Sequence, residues 1–357
     1  MPIVPSDKLH KLTKAICRSI GAAERDSGLA ADHLVGANLA GHDSHGVGML
    51  PIYVRCWTED NLQPQNHADV VRDSGPILVI DGHRGLGQVV AYEATHYGMD
   101  KAREQGAALV ALRNSFHIGR IGHWAELCAK NGFASMHYVN VVDNNPIVAM
   151  HGAAEPVLST NPYSAAMPGK DGNPLVFLDM ATSKIAMGKA RVAKNKGVPV
   201  PEGSLLDDGG RLTTDPGYMF PERRGALVAM GEHKGSGLAL MCELFAGALT
   251  GGWTLQPGNP RTGGAVNNML SVIIDPGAIG DADACRAEAE AMIKTAKEAE
   301  VRVGFDEILM PGEPEAIQRK QRLANGVDVD DTSWQEILAA AETAGMTSDE
   351  VTSILDA

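Results

Sequence analysis

An α/β fold, with helical segments at both chain ends, is predicted from three observations. Short runs of consecutive apolar residues, beginning with Ile77-Leu78-Val79-Ile80, read as strands. Between them lie stretches whose apolar positions recur at helical spacing, and this alternation builds a sheet covered by helices. The two ends of the chain carry the helical pattern without strands. At 357 residues, 44% hydrophobic and 21% charged, the chain has the composition of a globular protein and enough length for two domains or one elaborate one.

Ser6 is placed to cap a helix over 6–20, with Leu9, Leu12, Ile16 and Ile20 on one face. A second helix is expected over 31–40, stopped by Gly41, so that 42–48 forms a turn from which side chains project. Helical character resumes near Met49 and fades before Gln63-Pro64. Then come strand 77–80, helix 89–103, strand 107–112, helix 121–130 and strand 134–141. After a Gly/Pro-rich passage, 175–179 reads as a strand and 183–194 as a helix, followed by a turn-rich surface excursion over 198–210. The strongest apolar helix is 234–248, followed by strand 270–275 and a charged, solvent-facing helix over 281–299. From Glu315 onward the pattern is helical, with Trp334 as packing anchor.

A formal charge of −13 disfavours non-specific binding to nucleic acid or to an anionic membrane, so neither is an expected partner. The apolar stretch 238–249 is short of a bilayer span and contains Glu243. The first eight residues lack the apolar run of a secretory signal, and a cytoplasmic location is expected. Cys17, Cys56, Cys128, Cys242 and Cys285 are odd in number and scattered, the pattern of reduced, mostly buried thiols rather than of a zinc site.

Two glycine-framed histidine segments carry the chemistry: Gly41-His42-Asp43-Ser44-His45-Gly46-Val47-Gly48 and Asn114-Ser115-Phe116-His117-Ile118-Gly119-Arg120-Ile121-Gly122-His123. Each sets an imidazole, the side chain suited to moving a proton near neutral pH, beside glycines that let backbone approach a ligand. His42 and His45 would share a metal only on a helix, which the flanking glycines argue against, so no metal is expected. His117 follows a strand directly, where α/β enzymes place ligand-contacting groups, and Arg120 is suited to pairing with a carboxylate or phosphate. Against these stand plainer readings: a structural histidine, a helix-entry residue, a surface ion pair. His123 and Trp124 are expected to pack the following helix.

Asp179-Met180-Ala181-Thr182-Ser183 closes a strand and opens a helix, an arrangement that serves as an anion site or merely as a helix cap. Gly231 to Gly237 precedes the apolar helix with Lys234 placed to meet a phosphate, unless it is an exposed lysine on a flexible turn. Neither GxGxxG nor GxxxxGK[ST] occurs, since 82–87 has different spacing, so these rules name no cofactor.

Taken together, GHDSHGVGMLPIYV, NSFHIGRIGHWAE, STNPYSAAMPG, FLDMATSKIAMGKARVAKNKGVPVPEG, LTTDP, GEHKGSGLALMCELFAGALTGG and LMPGEPE resemble the malate/L-lactate dehydrogenase type-2 family, closest to its hydroxycarboxylate dehydrogenase B branch. The resemblance implies a non-Rossmann nicotinamide-binding α/β domain with its own mixed sheet over 76–304, flanked by a helical substrate and dimerisation region formed by 1–75 and 305–357. It implies a homodimer and the reversible reduction of a small 2-oxo acid with NAD or NADP, NAD being preferred. His45 falls on a histidine assigned as proton donor in related reductases and His117 on one assigned as proton acceptor in the ureidoglycolate branch. His45 is the preferred acid/base, with His117 near the substrate or sharing the relay. Carried over as cofactor contacts are His45, Gly119, Arg120, Ile121, Leu178, Asp179, Met180, Ala181, Thr182, Lys234, Asn267, Pro311, Gly312, Glu313 and Pro314; as substrate contacts, Ser44, His117 and Arg120. One departure stands out: many members carry arginine three or four residues after the SHG histidine, whereas Met49 follows Gly48 here, which leaves Arg120 or another residue to grip a substrate carboxylate. The alternatives are a cyclic imine carboxylate reductase, a metal-dependent hydrolase or lyase built on His42, Asp43, His45 and His117, and a non-catalytic sensor.

Overall fold

The strand-forming segments converge on one seven-stranded mixed sheet in the computed structural model, which describes residues 2–170, 172–220 and 223–356. Met1 and Ala357, the outer limits of the expected helical region, lie outside the described residues. In spatial order the strands are Asp69–Ser74, Ile77–Asp81, Ala107–Phe116, Val266–Ile274, Ala134–Val142, Tyr163–Pro168 and Pro174–Met180. Ile77–Asp81 and Ala107–Phe116 run parallel because helix Gly87–Gln105 returns the chain between them; every other pairing is antiparallel. Gly106, at φ 83°, ends that helix in the left-handed conformation that lets the next strand start at once.

Val266–Ile274 lies at the centre and is buried almost throughout, as a strand covered on both faces must be. Its register against Ala107–Phe116 shifts between Asn267 and Met269, a bulge that turns two amides toward neighbouring backbone. Asn267 Oδ1 accepts from Ile118 N at 2.9 Å and Asn268 Oδ1 from Asn114 N at 2.9 Å, holding the end of the second histidine segment. On one face Ile80, Val110, Leu112, Val139 and Met269 pack beneath Val90, Met99 and Trp124 of the helices Gly87–Gln105 and Gly122–Lys130. On the other face, beside Asn140, lies a helix that is α over His233–Cys242 and widens to a π-turn over Glu243–Leu249.

A second core belongs to the chain ends. Helices Ser6–Ser19, Glu24–Leu39 and Leu50–Thr58 bury Leu9, Leu12, Ile16, Leu34, Tyr53 and Val54 with Ile337 and Ala341 of helix Asp331–Thr343. Trp334 packs against this core while remaining half-buried. Ile3–Val4 pairs with Val327–Asp328 in a two-stranded ladder, tying the two ends together.

Several elements depart from the sequence-based expectation. The second helix starts at Glu24 rather than at 31, because Gly28 costs a helix only about 1 kcal/mol and does not stop it. Asp69–Ser74 is a strand although it is exposed throughout and lacks alternation; as an edge strand it needs no apolar face. A second sheet has five very short strands, Leu212–Thr213, Leu205–Leu206, Ala226–Val228, Val148–Ala149 and Pro156–Leu158; Leu205–Leu206 lies in the excursion read as turns and Val148–Ala149 and Pro156–Leu158 in the Gly/Pro-rich passage. The helix expected over 183–194 begins only at Met187, since Ser183 forms a bridge with Ala229. Among the described residues no helix is long and apolar enough to cross a membrane. The five cysteines are free thiols, with Cys285 the exposed one.

Candidate active site

The first histidine segment leaves helix Glu24–Leu39 through Gly41, at φ 84°, and folds into two short 3₁₀ turns, Asp43–His45 and Val47–Met49. Gly46 joins them where a Cβ would come within 2.2 Å of Asn38 Oδ1, so glycine is required there. Asn38 binds both turns, accepting from Val47 N at 2.8 Å and donating to Asp43 Oδ1 at 2.6 Å. From the C-terminal helix Glu313–Asn325, Arg322 reaches back to grip Asp43 at 2.6 and 2.9 Å. On that helix Glu315 lies 3.2 Å from His42 Nε2. His42 and His45 thus diverge, one to the C-terminal helix and one to the sheet. Among the described residues no group of three or more His, Cys, Asp or Glu is arranged to hold a metal ion.

His45 meets His117. His45 Nδ1 and His117 Nε2 are 3.1 Å apart, with ring planes inclined by 12° and centroids 5.3 Å apart. His117 stands one residue beyond Ala107–Phe116, and a Cβ on Gly87 would lie 2.2 Å from its carbonyl oxygen, so the start of helix Gly87–Gln105 can press against it only as glycine. Behind it are two residues that the sequence reading missed: Tyr53 Oη is 2.8 Å from His117 Nδ1, and Gln88 Nε2 donates to Tyr53 Oη at 2.6 Å. The available signal was helical phase, since Gln88 shares a face with Ala91 and Thr95, which are buried. Burial pushes the His45 imidazole down to about 4, with Asp179 opposing and His42 and Arg120 reinforcing. Burial, then the neighbouring His45, pushes His117 down to about 3. Both rings therefore rest neutral at pH 7.

Arg120 is enclosed. Its guanidinium lies between Asp179, at 3.1 Å from Oδ2, and Glu126, with 2% of the side chain exposed. Its backbone N–H donates to His33 Nε2 at 2.8 Å. The charge expected to face a ligand is met here by two protein carboxylates. Asp179 also packs against Gly122, where a Cβ would lie 2.4 Å from Oδ2, and stands 4.0 Å from His42 Nδ1. Ser44 lies against Gly188, in the first turn of helix Met187–Lys196, where a Cβ would come 2.7 Å from its own.

The remaining predicted contact residues form linked pairs. Asp179 belongs to Pro174–Met180, with Leu178 and Met180 part-buried beside it. Phe177 N donates to Pro311 O at 3.2 Å, and Gly312, at φ 99°, leaves no room for a Cβ against the Phe177 ring, so the 311–314 turn abuts that strand. Glu313 pairs with Lys297 and accepts from Met310 N. Past Ala181, Thr182 is buried with its hydroxyl donating to Thr160 O and Asn161 O, and its carbonyl accepts from Met230 N at 2.8 Å. Met230 O in turn lies where a Cβ on Gly235 would clash, which brings this strand end to the start of helix His233–Cys242. There Lys234 is exposed, and no side chain caps the helix N-terminus. Asp179 to Ser183 does not open a helix, so the expected helix-end anion site at those residues is absent; the uncapped N–H groups are at 233 onward. Gly119, at φ 76°, and Ile121 flank Arg120, and the ring of His33 fills the space that a Cβ on Gly119 would need.

The family model described as malate/L-lactate dehydrogenase matches residues 4–338. Hydroxycarboxylate dehydrogenase B of Escherichia coli K12 is 46% identical over 340 residues, covering 95% of this chain and 93% of the relative. L-lactate dehydrogenase of Cupriavidus necator is 38% identical over 313 residues, covering 88% and 89%. A solved sulfolactate dehydrogenase from Methanocaldococcus jannaschii superimposes with a TM-score of 0.84 at 30% identity, covering 98% of this chain and 99% of that one. With the match spanning both the sheet and the helical ends that meet at His45 and His117, the chain belongs to the malate/L-lactate dehydrogenase family.

Proposed function

We propose that the protein is an oxidoreductase of the 2-hydroxycarboxylate dehydrogenase type, interconverting a small 2-oxo acid and its 2-hydroxy acid with NAD, or with NADP in second place. The observation that carries this reading is the desolvated, hydrogen-bonded pair of His45 and His117 in a chain whose relatives are hydroxycarboxylate, lactate and sulfolactate dehydrogenases. When bound, the nicotinamide supplies or accepts the hydride. His45, the member of the pair that is part-exposed, gives a proton from Nε2 to the oxygen of the reduced carbonyl and takes it back in the reverse direction. His117 shares that proton through Nδ1 of His45. Asp179 favours the protonated form of His45, and Arg120 holds Asp179 in place.

The donor set fits an anionic dinucleotide. The uncapped start of helix His233–Cys242 and Lys234 suit a phosphate; Leu178 to Ala181 and Pro311 to Pro314 offer part-exposed surface for the rest of the cofactor, while Gly119 to Ile121, Thr182 and Asn267 are buried and support it from behind. Ser44 and His117 contact the substrate, with Arg120 acting from behind Asp179. Arg191 adds a cation at the place of the missing arginine, for its Nη2 lies 3.7 Å from where a Cβ on Gly48 would stand. The cofactor is assigned to 76–304 and substrate and dimer contacts to 1–75 with 305–357, although strand Asp69–Ser74 joins the sheet and Leu86, Val89 and Phe116 pack into the helical-end core. The assembly is a cytoplasmic homodimer in this reading.

The test is oxidation of NADH and of NADPH against a panel of 2-oxo acids and one cyclic imine carboxylate, followed at the nicotinamide absorbance. Turnover of an oxo acid is expected. Turnover of the imine alone would move the activity to C=N reduction, and absence of cofactor binding by calorimetry would sink the reading.

A further inference from the structure

The hydrogen bonds behind His117 contain more than a support. Gln88 Nε2 donates to two acceptors, Tyr53 Oη at 2.6 Å and His117 O at 3.2 Å, while its own Oε1 is buried without a partner. An amide that leaves its acceptor orphaned to place both N–H groups is oriented by what it must donate to. The Tyr53 hydroxyl, in turn, has two acceptors within reach of its one proton: His117 Nδ1 at 2.8 Å and His117 O at 3.3 Å. Tyr53 is fully buried, and its ring is fixed edge-on against Phe116, so the hydroxyl proton is what can move.

We propose that Tyr53, oriented by Gln88, is a positioning residue whose hydroxyl rotates between His117 Nδ1 and His117 O, and so sets which way the proton of the His45–His117 pair points; this rests on the acid/base role of His45 proposed above. With the hydroxyl donating to Nδ1, His117 carries its proton on Nε2, donates it to His45 Nδ1, and His45 holds its proton on Nε2. With the hydroxyl turned to His117 O, Tyr53 Oη accepts from both Gln88 and His117 Nδ1–H. Uptake of one proton from solvent then gives the pair three protons, as a cation; loss of one from that cation leaves two, with His45 Nε2 bare. Giving the Nε2 proton to substrate takes the cation to that bare form, and the reverse reaction restores it, so one proton leaves or arrives and each donor keeps an acceptor in both states. Every lone pair this requires is present, since the phenol oxygen and the carbonyl oxygen each accept twice.

The surroundings set where this equilibrium lies. Asp179 favours protonation of His45, while His42 and Arg120 oppose it; His33, itself neutral, is near both rings, and Cys17 and Cys56 lie near Tyr53. Burial drives the Tyr53 phenol far above its ordinary range, with Gln88 opposing, so Tyr53 keeps its own proton and directs that of the pair.

The experiment compares wild type with Tyr53→Phe and Gln88→Met, by ¹⁵N histidine spectra of ligand-free protein at neutral pH and by the pH profile of kcat for oxo-acid reduction. In wild type each ring is expected to show one protonated and one bare nitrogen, with His117 Nδ1 bare. Tyr53→Phe is expected to mix the tautomers of both rings and to lower kcat on the order of tenfold with KM unchanged. It should move the alkaline limb of kcat down by about one pH unit, as loss of a charge-assisted acceptor requires. Gln88→Met is expected to change the spectra the same way to a smaller extent, and it decides the matter if the first variant does not fold. Ring spectra identical to wild type in both folded variants, or a kcat loss with an unmoved limb, would overturn the proposal. If wild type turns over no oxo acid, the spectra alone decide the positioning role, while the dehydrogenase reading fails separately.

Discussion

Two buried polar clusters lie on either side of the His42–Asp179 neighbourhood and treat charge in opposite ways. The chain Gln88, Tyr53, His117, His45 is held by neutral hydrogen bonds, and burial keeps both imidazoles unprotonated. The neighbouring Arg120 keeps its charge, because Glu126 and Asp179 more than offset the burial that would otherwise lower its pKa. Glu126 is likewise held below the usual carboxylate range, since Arg120 overcomes its burial. The difference teaches how one fold handles buried titratable groups: the permanent charge is fixed by pairing with carboxylates, and the imidazoles held by neutral hydrogen bonds are kept neutral by burial.

The comparison breaks most visibly at His45. His45→Ala removes the open end of the neutral chain and should lower kcat for oxo-acid reduction by about 10²–10⁴-fold with little change in cofactor affinity, read by steady-state kinetics and calorimetry. Unchanged turnover would transfer the acid/base role to His117. Breaking the charged cluster acts on stability instead. Arg120→Met leaves Glu126 and Asp179 buried without their cation and should cost about 3–5 kcal/mol in urea unfolding. A loss near zero would mean that water reaches both carboxylates.

The smallest effect separates the clusters by pH. His45 and His117 have folded values of about 4 and 3 against an ordinary 6.5, so below pH 6.5 the unfolded chain binds more protons than the folded one. Their contribution to stability is therefore complete above pH 6.5 and lost progressively as pH falls toward 4 and then 3. Glu126, lowered from 4.5, acts only below that value. Denaturation midpoints measured from pH 7.5 to 4.5 should fall in wild type and fall less in His45→Ala; equal slopes would show that the imidazole is solvated.

Much of this was legible beforehand. Glycine placement marked both histidine turns, and the strands 77–80, 107–112 and 134–141 lie within observed ones because each alternates or runs apolar across a buried face. Asp69–Ser74 and the short strands around Val148–Ala149 carry no such pattern; tertiary pairing makes them. Resemblance supplied residues that the structure links in pairs, such as Asp179 with Arg120. What no local rule shows is which side chains meet across long separations. Tyr53, Gln88 and Arg322 act on the histidine segments from other elements, and the enclosure of Arg120 depends on the distant Asp179 joining Glu126.

The grip of Arg322 on Asp43 has a consequence in time rather than in space. The turn that bears His45 emerges from the ribosome early, yet its brace is synthesised roughly 280 residues after it, and the Val327–Asp328 strand roughly 325 residues after the Ile3–Val4 it closes on. Until Arg322 is made, the turn that bears His45 has the Asn38 brace without the Arg322 grip, so a chain ending before Arg322 is expected to form the sheet with that turn less firmly held.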